Sequence, residues 1–269
     1  MKFTEIKPGK QLSPYINCYW ILESESDLEI HDTIFPAGYI EIVFNLGEAL
    51  WQSSVDNLFR KSPAIELLGQ ITRPMPIKAC GKNKMLGIRF FSHSAAYFFN
   101  EEAWHFNDQI SNLADVFGAT VRILHERLIN TDGSNKQIEL IEDFLLRRIR
   151  KTGKGSTVSL VRQIVEDMQR NAFSDNIDTT ARRYGITPRY LQKLFLQHIG
   201  ITPKLYGQIN RFKLSLRHIG ERQMSLTSIA YDCGYSDQSH FIREFKSFAG
   251  ITPSAYIPDY YPVSSSVRL

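Results

Sequence analysis

The apolar positions of this chain change their spacing after about the first ninety residues. Up to that point they come in short runs. YINCYWILE, residues 15–23, is aromatic and β-branched and predicts a strand. Ile40, Ile42 and Phe44 alternate with Glu41, Val43 and Asn45. That alternation predicts a half-buried strand between turns at Pro36-Ala37-Gly38 and Asn45-Leu46-Gly47. AIELLGQIT, MPIKACG and KMLGIRFF follow as strand-like pieces broken by Gly and Pro, the signature of a small barrel or sandwich. After Phe91 the spacing turns helical. Residues 93–99 and 101–104 predict short helices, and Leu113, Val116, Phe117, Val121, Leu124, Leu128 and Ile129 continue the period. A helix over 137–149 sets Ile138, Ile141, Leu145 and Ile149 on one face. Two readings of that face stand side by side: a dimer surface, or packing on the strands. KTGKGS, residues 151–156, has no apolar residue and two glycines and predicts a linker. Leu160 to Met168 begins a further helical region.

That last region contains a duplication. ARRYGITPRYLQKLFLQHIGITPKLY occupies 181–206 and AYDCGYSDQSHFIREFKSFAGITPSAY occupies 230–256. Ala181, Gly185 and Thr187 match Ala230, Gly234 and Ser236 at an offset of 49, and Phe195, Gly200, Ile201, Thr202, Pro203 and Tyr206 match Phe245, Gly250, Ile251, Thr252, Pro253 and Tyr256 at an offset of 50. Each copy predicts a short helix, a stop at Gly185 or Gly234, a cap at Thr187 or Ser236, and a second helix. Pro188 suits the first helical position. This is a helix-turn-helix pattern, which places the start of its second helix in the major groove of DNA. The outward positions there are Arg189, Tyr190, Gln192 and Lys193 in one copy, and Gln238, Ser239, His240 and Arg243 in the other. Arg and Lys can donate to guanine, and Gln can pair with adenine. A surface helix is polar on its outer face in any case, so phosphate contact or plain solvation is the competing reading. Leu205, Tyr206, Ile209, Phe212, Leu216 and Ile219 predict a long helix between the copies, from Pro203 to Ile219. It would span roughly 25 Å, enough to hold two reading helices about one DNA turn, roughly 34 Å, apart.

With these motifs in place, residues from near Leu160 to Tyr256 resemble the DNA-binding domain of the AraC family of bacterial transcription regulators. The most specific element is AxxxGYxDxSHFxRxFKxxxGxTPxxY in the second copy. The resemblance implies that Arg189, Gln192, Lys193, Gln238, Ser239, His240 and Arg243 face duplex DNA, with Tyr190 beside them. Most members carry Arg where this chain has Lys193, and lysine lacks the bidentate fork of arginine. DTIFPAGYIEIVFNLG, LGQITRPMPI and LGIRFFSHSAAYFF also resemble the cupin-like N-terminal domain of a subgroup of these regulators. That implies a small β-barrel followed by helices, where related proteins hold an effector site or a dimer contact.

Charge agrees with this division without deciding it. Residues 1–156 carry 18 Lys+Arg against 19 Asp+Glu, and residues 157–269 carry 14 against 9. The basic half suits a polyanion partner. Cys18, Cys80 and Cys233 have no paired spacing, which argues against a disulfide framework or a zinc site. Cys233 falls on the apolar face before Gly234 and reads as packed core. The seven histidines include no HxH pair, and His31 stands alone near Asp32 and Glu41, so a cupin-type metal centre is not expected. His93, His105 and His125 read as surface or satisfied residues. No phosphate-binding loop or nucleophile elbow occurs. Tyr19, Trp20, Phe35, Tyr39, Phe44, Trp51, Phe90 and Phe91 are candidates for a ligand pocket, with Glu41 and Arg89 to orient a ligand, although plain core is the commoner fate of such residues.

The expected fold is α+β in two domains: a cupin-like barrel followed by helices, then an all-α domain with two helix-turn-helix units joined by a long helix. The expected boundaries are 1–150 for sensing or dimerisation, 151–156 for the linker, 157–260 for DNA binding and 261–269 for the tail. The expected function is a sequence-specific, effector-responsive transcription regulator with no catalytic residue, metal or cofactor. Its expected partners are double-stranded DNA, RNA polymerase, a small-molecule effector and a second copy of the chain. No run of eighteen apolar residues and no apolar signal core occur, so the expected location is the cytoplasm. The alternative is an enzyme that its DNA-binding half only targets.

Overall fold

A computed structural model describes residues 1–24, 29–55, 58–149, 155–171, 173, 175–258 and 261. Of the expected linker, residues 151–154 lie outside the described set, and 155–156 already belong to a helix. Of the expected tail, 262–269 lie outside it as well.

The N-terminal half holds ten strands: β1 (Lys2–Ile6), β2 (Ile16–Ser24), β3 (Ile30–Ile34), β4 (Glu41–Asn45), β5 (Leu50–Val55), β6 (Leu58–Lys61), β7 (Ile65–Leu68), β8 (Met75–Cys80), β9 (Asn83–Phe90) and β10 (Ile110–Asn112). They form a six-stranded sheet in the order β1-β2-β9-β4-β7-β10 and a four-stranded sheet in the order β3-β8-β5-β6. Three helices follow: α1 (Leu113–Phe117), α2 (Ala119–Ile129) and α3 (Ser134–Arg148).

β4 departs from the expectation of half-burial. Ile42, Val43 and Phe44 are all buried. Ile42 and Phe44 join the core that contains Val121, Leu124, Ile141 and Leu145 of the helices, while Val43 joins a second core with Trp20, Trp51, Ile77 and Met85. The larger sheet is covered on both faces, so alternation of side chains does not produce alternation of burial. The segments expected to be helical after Phe91 are only 3-10 turns, at Ala95–Tyr97 and Ala103–Phe106. The two readings of α3 also resolve here. Ile138, Ile141 and Leu145 are buried in the sheet–helix core, each stabilising it by about 1.5–3 kcal/mol. That face packs on the strands and is not free to bind a second chain.

The C-terminal half is helical: α4 (Gly155–Arg170), α5 (Ile177–Arg183), α6 (Pro188–His198), α7 (Pro203–Glu221), α8 (Leu226–Asp232) and α9 (Gln238–Ala249). α4 and α7 exceed the predicted segments at both ends or at the C-terminal end. The core is aromatic, with Phe195, Phe212, Phe241 and Phe245 fully buried. α7 has 19 residues, about 28 Å of rod. One member of this core comes from elsewhere. Phe35, between β3 and β4, sets its ring 6.2 Å from Phe212, 5.9 Å from Tyr256 and 5.0 Å from Tyr261. Among the described residues, no helix is long and apolar enough to cross a membrane.

Candidate nucleic-acid interface and the cavity behind it

In the first helical pair, Gly185 takes φ +64°, a left-handed conformation that stops α5 at little steric cost to glycine. The Thr187 hydroxyl then accepts the Tyr190 N–H at 3.2 Å, and Pro188 opens α6. Leu191, Leu194 and Phe195 turn inward. Arg189, Tyr190, Gln192 and Lys193 are therefore left on the outer side, and all four are exposed.

The second pair follows the same plan with one correction. Gly234 stops α8 at φ +77°, but the residue that caps α9 is Asp237 and not Ser236. The Asp237 carboxylate accepts the His240 N–H at 2.8 Å, and Ser236 instead donates to Asp237 at 3.2 Å. The inserted residue lies between the glycine and the cap, so Asp237 is the true counterpart of Thr187. The backbone N–H of His240 also holds the Asp237 carboxyl below its ordinary pKa, which keeps a negative charge at the positive end of α9. Gln238, Ser239 and Arg243 are exposed. His240 is half-buried: its ring lies edge-on to Tyr235 at 5.3 Å, and its Nε2 is 3.7 Å from Glu244. Gln238 accepts a hydrogen bond from Thr227 at 3.1 Å. The structure thus brings the eight predicted residues to the starts of two matching helices, with His240 already partnered.

Behind this surface the two halves of the chain interlock. Asn107 donates to the Gly200 carbonyl at 2.7 Å, and Gln197 donates to Glu102 at 2.9 Å. Ser92 and Tyr206 share a hydrogen bond of 3.1 Å. Lys213 of α7 donates to the Tyr39 hydroxyl, and its Nζ stands 3.9 Å from the centre of that ring. On the tyrosine ring the Arg89 guanidinium also rests, at 4.7 Å. Lys213 keeps part of its surface, but its Nζ is enclosed. Burial, with Arg89 adding repulsion, lowers its pKa to about 7.

A cavity of about 100 Å³ lies between the two sheets and reaches this junction. Trp20, Phe35, Tyr39, Trp51, Glu66 and Arg89 are among the residues that line it. Gly87 makes room for its floor: a Cβ there would fall 1.9 Å from the Trp20 indole. Arg89 is buried and donates through Nε to Glu41 at 2.7 Å, with Glu5 3.6 Å from Nη1. Trp20 also donates to Glu41, at 3.2 Å. Burial raises the Glu66 pKa to about 8, only partly opposed by a hydrogen bond from Ser62.

With that geometry in hand, the comparisons with known proteins fall into place. Residues 4–112 match a family model described as "Domain of unknown function (DUF6597)", and residues 180–258 match one described as "Helix-turn-helix domain". The HTH-type transcriptional activator RhaS of Pectobacterium carotovorum is 32% identical over 89 residues, which are 32% of this chain and 31% of RhaS. The probable transcriptional regulator LumQ of Photobacterium leiognathi is 40% identical over 63 residues, 23% of this chain and 25% of LumQ. The chain thus spans about a third or less of the length of these curated relatives. Residues 180–258 thus match a helix-turn-helix family, and the relatives that share this stretch are named as transcriptional regulators. Among solved structures, ToxT from Vibrio cholerae aligns over 95% of this chain and 98% of its own, at 12% identity and a TM-score of 0.48.

Of the aromatic residues expected around a pocket, Trp20, Phe35, Tyr39 and Trp51 line the cavity, as do Glu41 and Arg89. Tyr19, Phe44 and Phe90 belong to the sheet–helix core instead. Phe91 borders a separate cleft of about 450 Å³ between the helical half and the strands. Cys233 is buried as expected, and burial pushes its thiol up to about 12. Two residues escaped the sequence reading. Glu66 lies in a strand whose four residues are all buried, so no alternation marked it. Lys213 occupied an ordinary polar position of an amphipathic helix.

Proposed function

We propose that this protein is a sequence-specific transcription regulator whose two helix-turn-helix units read successive major-groove segments of one duplex. The reading rests on one observation above the rest: two glycine-stopped, side-chain-capped helices within a helix-turn-helix match over 180–258. Their exposed first turns carry Arg189, Gln192 and Lys193, and Gln238, Ser239 and Arg243, which are donors and acceptors suited to base edges and phosphates. Tyr190 and His240 flank them. In this reading, residues 1–150 form the sensing domain as a small cupin-like barrel. Residues 157–260 form the DNA-binding domain, with 151–156 between them and 261–269 as a tail. The cavity between the sheets is the effector site. Residues of the N-terminal half do no chemistry. A second copy of the chain and RNA polymerase are its protein partners, and the cytoplasm is its place of work.

Selection of bound sequences from a random duplex pool with the full chain tests the reading. The expected product is an asymmetric site with two conserved clusters about one helical turn apart. Its affinity should fall steeply with salt, because cationic side chains displace counterions from the phosphates. Recovery of no preferred sequence, or affinity insensitive to salt, would overturn it.

A further inference from the structure

The cavity holds one ionisable group that no cation among the described residues neutralises. Arg89 and Glu41 face the same space, but they face each other first, at 2.7 Å, with Glu5 3.6 Å from the guanidinium. Glu66 stands apart from them on β7. Its partners across the sheet are Val43 on β4 and Asn112 on β10, neither of them cationic. Ser62, a neutral donor, hydrogen-bonds to it. The remaining walls are largely aromatic or aliphatic, with Trp20, Tyr39 and Trp51 prominent among them. An isolated carboxyl enclosed in this way is costly when charged, and burial holds it protonated up to about pH 8.

We infer that this cavity binds a compact hydrophobic amine whose ammonium pairs with the Glu66 carboxylate and whose body packs among Trp20, Trp51 and Tyr39. This rests on the reading of the cavity as an effector site. The ammonium supplies the charge that Glu66 lacks, and the ring faces of the tryptophans attract the same cation. Arg89 keeps one buried N–H without a partner among the described residues, at Nη2, but Glu41 and Glu5 flank its guanidinium, so an anionic ligand would meet Glu66 and Glu41 before it met an unscreened cation. Size narrows the class further. A space of about 100 Å³ is smaller than the apolar cavity of about 150 Å³ that admits benzene, so it takes a short branched or small-ring alkyl amine. The Trp51 indole N–H has no partner among the described residues. It offers a donor to a hydroxyl or carbonyl on the ligand.

The test compares matched skeletons on the full-length chain. Thermal unfolding and titration calorimetry are run with isobutylamine, isoamylamine and cyclopentylamine, and with isovalerate, 4-methylpentanoate and cyclopentanecarboxylate. The amines are expected to raise the melting temperature and to bind with one site per chain, and the acids to do neither. Glu66→Gln keeps the shape of the side chain and its neutral hydrogen bonding. It is expected to leave the unliganded melting temperature and DNA binding unchanged and to weaken the amines at least thirtyfold, about the loss when one member of a buried charge pair is removed. Binding of the acids in place of the amines, binding of neither set, or amine binding unaffected by Glu66→Gln would each overturn the inference. If Glu66→Gln fails to fold, the comparison of amines with acids on the native chain still decides. Failure of the regulator reading looks different: the chain would take up amines and select no DNA sequence.

Discussion

The two helix-turn-helix copies share one template but are held in different ways. The second is held mostly from within the helical half: Thr227 bonds Gln238, Asp237 caps α9, Tyr235 and Glu244 flank His240, and Arg211 of α7 pairs with Glu244, while the strands reach it through the Phe35 ring on Tyr256. The first is fastened to the N-terminal half. Glu102 takes Gln197 from the far end of α6, and Asn107 takes the Gly200 carbonyl just beyond it. The next helix, α7, is gripped at Tyr206 and Lys213. In the proposed reading, similar local structures therefore reach DNA under different constraints, and a signal from the cavity would enter through the first copy and the rod behind it.

The strongest way to break this contrast is to remove the shared ring. Phe35→Ala takes a buried aromatic from the packing of both halves, and a loss of about 3–5 kcal/mol is expected, read by denaturant unfolding. A loss below about 1 kcal/mol would mean that Phe212, Tyr256 and Tyr261 close over the gap and that the halves are less tightly joined than their contacts imply. Next come the reading arginines. Arg189→Ala and Arg243→Ala should each weaken operator binding by about 1–3 kcal/mol, with Arg243 nearer the upper end because no hydrogen bond ties its helix to the strands among the described residues. Equal losses would remove the functional meaning of the fastening, and uniform weakening across unrelated sequences would reassign both to phosphate contact.

Lys213 sharpens the contrast through pH. Burial lowers its pKa from 10.5 to about 7, so between these values the opened or unfolded chain binds a proton that the closed form does not. Stability of the closed form therefore rises with pH across that window and falls as pH drops toward 7. The charged and titratable groups facing the ammonium are Tyr39, Glu41 and Arg89 from the strands and Arg217 one turn along α7. Lys213→Met should flatten this segment of the stability profile, and an unchanged slope would assign it to another group. The smallest effect concerns Glu101, which lines a cleft with Tyr190 and Lys193 of the first copy. Glu101→Gln should tighten DNA binding by about 0.2–1 kcal/mol, and less at high salt. No change at low salt would show that this carboxylate does not compete with phosphate.

The helical half was legible in the sequence because its signals are local. Gly185 and Gly234 must end helices, Thr187 and Pro188 must begin one, and the repeat states the pattern twice. The single slip, Ser236 for Asp237, arose where the two offsets meet and either residue could serve as a cap. The strands were legible as strands, but their burial was not. Whether β4 is covered on one face or two depends on α1 to α3, which fold over it from later in the chain. Glu66 and Lys213 were invisible for the same reason. Nothing within a few residues of either announces that another layer of the protein will close over its charge.

Phe35 has a consequence for how such proteins are recombined. It is encoded among the first forty residues, yet it completes the aromatic packing of the last hundred. A chimaera that grafts this DNA-reading half onto a foreign sensor would inherit a vacancy the size of a benzyl group beside Phe212. The seam between the modules is therefore not the linker alone, and an exchange that respects it must carry the β3–β4 corner along.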